Sequence, residues 1–231
     1  LGTAKRHRSS RCVRPSQRFV SKVGGRIVAT AMDKTETSVY HHVRPEIITA
    51  LASNLDNPFA EVEKQPTRYA YAEAIIELGE RNPDVVVLDA DVAKSIKTHE
   101  FAQKFPERSF NFGIAEQNMM AAAAGFATTG LIPFATTYAV FASLRALDQV
   151  RNSIHYPRLN VKIAASHGGI TPGPDGVTHQ GQEDLSIMRS IANSTVIVPA
   201  DPVSCKKAIW AMVDWDGPVY ISFTRDPVPV L

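Results

Sequence analysis

The sequence predicts an α/β fold, a parallel β-sheet flanked by helices on both faces, over residues 66–231. Three observations carry that expectation. Short, continuous apolar runs such as Val85-Val86-Val87-Leu88 recur along this stretch, as suits strands buried on both faces. Segments with helical spacing of apolar residues lie between them. The two kinds of segment alternate, which implies parallel strands joined by right-handed crossovers.

Each element follows in order. Thr67 reads as an N-cap, and Ala70, Ala74, Ile75 and Leu78 form a helical stripe that Gly79 ends. The run at 85–88 is the first strand. A polar helix over 96–104 precedes a short strand over 109–112. An alanine-rich helix covers 114–127, and strand 131–135 follows it. A helix over 140–153 leads to the strand Val161-Lys162-Ile163-Ala164-Ala165. After a long Gly/Pro loop come helix 182–190, strand 196–198, helix 202–213 and a last strand over 219–223.

Residues 1–65 behave differently. They show little periodicity and read as a basic, poorly structured extension and linker. A short helix at Glu46-Ile47-Ile48-Thr49-Ala50-Leu51 and a linker over 54–66 are the expectations there. Eight Lys and Arg side chains and no acid stand before Asp33, although the whole chain has 25 basic and 23 acidic groups. The rest therefore holds 17 basic against 23 acidic groups, a net −6 that argues against a nucleic-acid-binding body. The Arg- and Ser-rich opening reads as an organelle-targeting peptide, a disordered arm or an extension foreign to the domain; without targeting, the expected location is the cytoplasm. Cys12 and Cys205 form neither a disulfide framework nor a zinc spacing, so a reducing compartment is the default, and no residue is assigned to a metal. No apolar run is long enough to cross a bilayer.

Ligands of open α/β sheets bind at the carboxyl ends of the strands. Asp89, Asp91 and Ser95 follow the first strand, and Gly113 and Glu116 follow the second. Thr136, Thr137 and Tyr138 follow the third, with Phe141 one turn into the next helix. His167 to His179 follow the fourth, and Thr224 and Arg225 the last. Long loops without regular structure inside compact domains are usually functional or disordered, which singles out 166–182. An isolated Glu116 would merely complement a helix dipole. Here it sits in Gly113-Ile114-Ala115-Glu116-Gln117-Asn118-Met119, followed by four alanines and Gly125 that permit close packing by another chain.

That motif, with Asp175-Gly176-Val177-Thr178-His179-Gln180, resembles the pyrimidine-binding half of thiamine diphosphate enzymes, closest to the transketolase family. The resemblance implies that the Glu116 carboxyl hydrogen-bonds N1′ of the cofactor's aminopyrimidine. It favours the imino tautomer that removes the thiazolium C2 proton. It also implies that Phe141 stacks on the aminopyrimidine and that Asp91 sits beside the cofactor. Asp175 and His179 would bind substrate hydroxyls, with His179 and Glu116 as the catalytic pair, and His167 would face a sugar phosphate. Arg68, Ser95 and Arg225 match the family's phosphate grip, and arginine's planar fork suits that group. Leu144 departs from the pattern, because full-length transketolases often carry a second aromatic there.

The Gly-Asp-Gly run of the family's diphosphate- and Mg²⁺-binding half does not occur in these 231 residues. The resemblance, strongest to the C-terminal subunit of split transketolases, therefore implies a partner subunit that holds Mg²⁺ and diphosphate. The implied reaction is transfer of a two-carbon ketol unit between ketose and aldose phosphates by a homo- or hetero-oligomer. The alternatives are a 1-deoxyxylulose-5-phosphate synthase-like chain, an oxoacid dehydrogenase β-type subunit, or a catalytically silent truncated homologue. Loss of Glu116 or of the sugar-site histidines would mark the silent homologue, and all are present.

Overall fold

The computed structural model describes residues 63–231 together with the backbone of 21–23 and 26–28. The chain divides into two units, 1–56 and 57–231. In the first, β1 (Ser21–Val23) pairs antiparallel with β2 (Arg26–Val28), with Ser21 opposite Val28. The expected helix at 46–51 lies outside the described residues. So does the targeting segment, those two strands apart.

The second unit opens with β3 (Lys64–Pro66), α1 (Thr67–Arg81) and β4 (Val85–Asp89). Next come α2 (Ala93–Ile96), α3 (His99–Lys104), β5 (Ser109–Asn111), α4 (Glu116–Thr128) and β6 (Ile132–Tyr138). Two π-helical segments, Phe141–Arg145 and Gln149–His155, lead to β7 (Lys162–Ser166). The chain continues through α5 (Asp184–Ser190), β8 (Thr195–Ile197), α6 (Pro202–Asp214), β9 (Val219–Phe223) and β10 (Pro227–Pro229).

Six strands form one parallel sheet in the order β5-β4-β6-β7-β9-β8. Every residue of β4, β7 and β9 is buried, as the continuous apolar runs require. Alternation divides those residues between two cores. Val86, Leu88, Ala135, Ile163 and Tyr220 pack under α4, the π segments and α5. Val85, Val87, Phe134, Ala164 and Ile221 pack under α1, α2, α3 and α6. The fold class predicted from the sequence is the one observed.

Local expectations were overturned in several places, at Thr67, Gly79 and 64–66 by a tertiary partner. Thr67 is the first residue of α1 and no cap; its hydroxyl donates to the Thr224 carbonyl (3.3 Å) and accepts from the Thr224 amide (2.9 Å). Gly79 does not end α1, because a Cβ there would lie 2.6 Å from the Phe101 ring and 2.8 Å from the Phe105 ring. The glycine admits those rings, and the helix runs on to Arg81. The polar helix over 96–104 is two short helices, split where Lys97 takes a left-handed φ of 72°. The end of the expected linker, 64–66, is a strand paired with β10, with Pro66 opposite Pro227. The helix over 140–153 has π-helical hydrogen bonding, a form found mostly at functional sites.

The strand order decides where a ligand can enter. From β4 the chain crosses to β5 on one side, and from β6 it crosses to β7 on the other. The crevice between the carboxyl ends of β4 and β6 is thus a topological switch point, where open α/β sheets bind ligands. At the opposite edge, the buried Lys162 ammonium donates to the carbonyls of Trp215 (2.6 Å) and Gly217 (2.9 Å). Burial pushes this amine down to about 8.

Candidate functional site

The β4 exit is shaped by Asp89, a buried carboxylate that accepts from the Val92 amide (2.8 Å) and the Thr98 hydroxyl (3.0 Å). Burial raises its pKa, with those two bonds opposing the rise. The turn it ties down forces Asp91 into a left-handed φ of 62°, an unusual conformation for a residue with a side chain. Asp91 is thereby exposed at the switch point, where Asn111 at the end of β5 reaches its carboxylate at 3.5 Å.

Glu116 is the first residue of α4 and only 1% exposed. Its carboxylate accepts from one guanidinium nitrogen of Arg145, at 2.9 Å and 3.0 Å to the two oxygens. Arg145 ends the first π segment, and its guanidinium carbon lies 4.1 Å from the centre of the Phe141 ring. A cleft of about 300 Å³ opens here, and Asp91, Glu116, Tyr138, Phe141, Arg145 and His179 contribute to its walls. A larger concavity, about 380 Å³, lies among Leu147, Arg151, Tyr156, Ile187 and Ile191 and contains none of the residues singled out from the sequence. Volume alone does not locate chemistry. The smaller cleft sits at the switch point and holds the buried carboxylate.

The β7 exit builds the adjoining wall. His167 is buried with a left-handed φ of 63°, stacks on Tyr138 at 4.0 Å and shares a 2.9 Å hydrogen bond with the Ser166 hydroxyl. Burial first, then the nearby charges of Arg68 and Arg225, push the imidazole down to about 4, so it is neutral at ordinary pH. Tyr138 donates to the Ser95 hydroxyl at 2.9 Å, which joins the β4 and β7 exits through one phenol. His179 meets Phe141 edge-on at 5.3 Å and Tyr138 at 6.2 Å.

The loop over 166–182 closes at its neck, where the Gly169 amide donates to the Gly181 carbonyl at 2.9 Å. Gly181 lies so close to the first turn after β6 that a Cβ would approach the Val140 nitrogen to 3.0 Å. Within the loop are two single-turn 3-10 pieces, Gly173–Asp175 and Val177–His179. Arg225, after β9, ties the first piece down by donating to the Pro172 carbonyl and to Asp175 at 3.3 Å. Beyond the loop, buried Asp184 accepts from the Tyr220 hydroxyl (2.8 Å) and the Ser222 hydroxyl (2.9 Å), locking the start of α5 to β9.

Of the residues named from the sequence, Asp91, Glu116, Phe141 and His179 share one cleft. Ser95 and His167 stand one side chain away, through Tyr138. Arg225 and Asp175 pair with each other, and Arg68 lies close enough to His167 to lower its pKa. The Arg68 Nε is buried without a hydrogen-bond partner. Arg145 and Asn111 were not singled out, and Tyr138 was noted without a role. No local signal marks Arg145: it becomes identifiable as a counter-charge only once Glu116 is seen to be buried and the segment after Phe141 to face α4.

A buried carboxylate beside an aromatic face fits an aminopyrimidine, which offers a ring nitrogen to the acid and a π-surface to Phe141. Among the described residues no group of three or more His, Cys, Asp or Glu side chains gathers that could hold a metal ion. Nor is any described helix long and apolar enough to cross a membrane.

Comparison with known proteins agrees with this geometry. Residues 63–230 match the family described as transketolase, pyrimidine binding domain. A putative transketolase C-terminal section from Methanocaldococcus jannaschii is 49% identical over 164 residues, covering 71% of this chain and 52% of that protein. A 6-deoxy-6-sulfo-D-fructose transketolase subunit, SqwH, from a Clostridium species is 39% identical, covering 75% of this chain and 54% of its own length. A solved structure titled split gene transketolase, inactive beta4 tetramer, is 52% identical with a TM-score of 0.65, covering 72% of this chain and 54% of that one. The chain spans about half the length of these relatives. With that match and that site, the chain belongs to the transketolase family and carries its pyrimidine-binding domain.

Proposed function

We propose that this chain is the pyrimidine-binding component of a transketolase, transferring a two-carbon ketol unit between ketose and aldose phosphates with thiamine diphosphate. The observation that carries the reading is Glu116, a buried carboxylate at the switch point of the sheet with Phe141 and His179 in the same cleft. When bound, the cofactor supplies a carbon nucleophile to a substrate carbonyl. The protein's contribution is to place and protonate. Glu116 holds a proton at N1′ of the aminopyrimidine, while Phe141 and Tyr138 fix the plane against which that ring stacks. Asp91 borders the cofactor's other ring.

His179 and Asp175 bind hydroxyls of the sugar. Neutral His167 accepts or donates one hydrogen bond without adding a charge, and Arg68, Arg225 and Ser95 receive the phosphate. Mg²⁺ and the diphosphate belong to a partner subunit, a reading supported by the lack of a Gly-Asp-Gly run in these 231 residues. The tetrameric relative, titled inactive, is consistent with a chain of this kind that lacks its partner.

Reconstitution tests the reading. The chain alone, given thiamine diphosphate, Mg²⁺ and sugar phosphates, is expected to show no turnover. Addition of a diphosphate-binding transketolase chain should restore ketol transfer, measured by the aldose released. Full activity from this polypeptide alone would overturn the half-site assignment, and so would a lack of activity in the assembled pair.

A further inference from the structure

The Glu116 carboxylate has a partner, Arg145, to which the proposed function gives no role. Arg145 reaches both carboxylate oxygens at 2.9 Å and 3.0 Å and also lies over Phe141, 4.1 Å from its centre. These are the two groups, one acid and one ring, that the proposed function assigns to the aminopyrimidine. A guanidinium and an aminopyrimidine are both flat, both donate to a carboxylate and both stack on an aromatic face. They cannot occupy the same position. The Arg145 side chain is 44% exposed while that of Glu116 is 2% exposed, so Arg145 can swing into water and Glu116 cannot follow it.

The other charged groups near Glu116 leave Arg145 as its counter-ion. Across the cleft are Asp91 on the β4 exit and His179 on the loop. From the second π segment packed on α4, Arg151 is exposed and the buried His155 ring bonds to the Val150 carbonyl at 2.9 Å. Only Arg145 makes an ion pair with Glu116 among the described residues.

We propose that Arg145 takes the place of the aminopyrimidine in the free site and competes with it for Glu116 and Phe141. Cofactor entry therefore displaces Arg145: its ion pair with Glu116 breaks, and its guanidinium is rehydrated. This inference rests on the thiamine diphosphate reading. Its physical basis is that two flat groups cannot share one carboxylate and one ring face, and only Arg145 is exposed enough to leave.

Titration calorimetry of thiamine diphosphate into the chain assembled with a diphosphate-binding chain and Mg²⁺ tests it. Arg145→Met, or Arg145→Gln if the first variant folds poorly, should bind roughly tenfold more tightly than the unaltered protein, because the competing side chain is gone. Arg145→Lys, which keeps the charge and loses the planar fork, should fall between the two. Unchanged affinity in both neutral variants would overturn the competition, whether or not their thermal stability falls. Weaker binding in those variants would make Arg145 a cofactor contact and overturn it too. No binding by the unaltered assembly would instead sink the thiamine diphosphate reading beneath it.

Discussion

Between β4 and β6 the site's polar groups stand on strand ends, on the first turn of a 13-residue helix and on a π-helical segment. Beyond β7 and β9 they stand on a loop whose regular pieces are two three-residue turns. On the first side the central carboxylate is buried and its neighbours pack on the core. On the second, Asp175 and Arg225 are about one-third exposed and hold each other through an ion pair that solvent weakens. The difference matches the demands that the proposed function would place on each side. A cofactor's proton must be managed at one fixed atom, which needs rigid placement. A sugar phosphate must enter and leave, which a loop closed at its neck permits.

The comparison can be broken most decisively at Glu116. If the buried side manages the proton, Glu116→Ala should lower kcat of the assembled enzyme by about 10³-fold or more, with a far smaller change in sugar KM. A change confined to KM would place the chemistry on the loop side.

The next largest effect concerns how the loop is rooted. Asp184→Ala strands the Tyr220 and Ser222 hydroxyls in the core and should cost about 2–3 kcal/mol in denaturant unfolding. Because Asp184 fixes the downstream end of the loop, sugar KM should rise while thiamine diphosphate affinity holds. A loss of both together would show that the two sides are not separable.

The smallest effect sharpens the contrast at His167. Its folded pKa of about 4 lies below the ordinary 6.5, so between these values the unfolded chain binds the proton and the folded one does not. Stability contributed by neutral His167 is thus complete above about pH 6.5 and is lost as pH falls towards 4. An NMR titration of the imidazole should find its midpoint near 4. A sugar phosphate beside it should move that midpoint upward, whereas thiamine diphosphate on the buried side should move it little.

Much of this was legible from residue order. The apolar runs identified β4, β7 and β9 because parallel strands are buried on both faces, and polar groups at strand exits marked the working edge of the sheet. Glu116 and the Asp175–His179 cluster could be read by resemblance. Arg145 could not, since a lone arginine in a helical stretch looks like a solvated surface residue until its partner is known. Nor could Gly79, where the local rule for ending a helix lost to two phenylalanine rings needing the space. Thr67 likewise surrendered its capping role to Thr224, 157 residues away.

The sequence by itself determined the alternation of strands and helices, the edge that bears the polar groups, and Glu116, the carboxylate to which the proposed function gives the chemistry. These are encoded in local periodicity and in short motifs. Tertiary structure alone decided that the strand order reverses between β4 and β6, which brings the β4, β5 and β6 exits together as one cleft. It also decided that Glu116 meets Arg145 over Phe141, and that Tyr138 joins Ser95 to His167. Those pairings depend on strand order and on which side chains the two cores leave facing each other, and neither is written in any short stretch of residues.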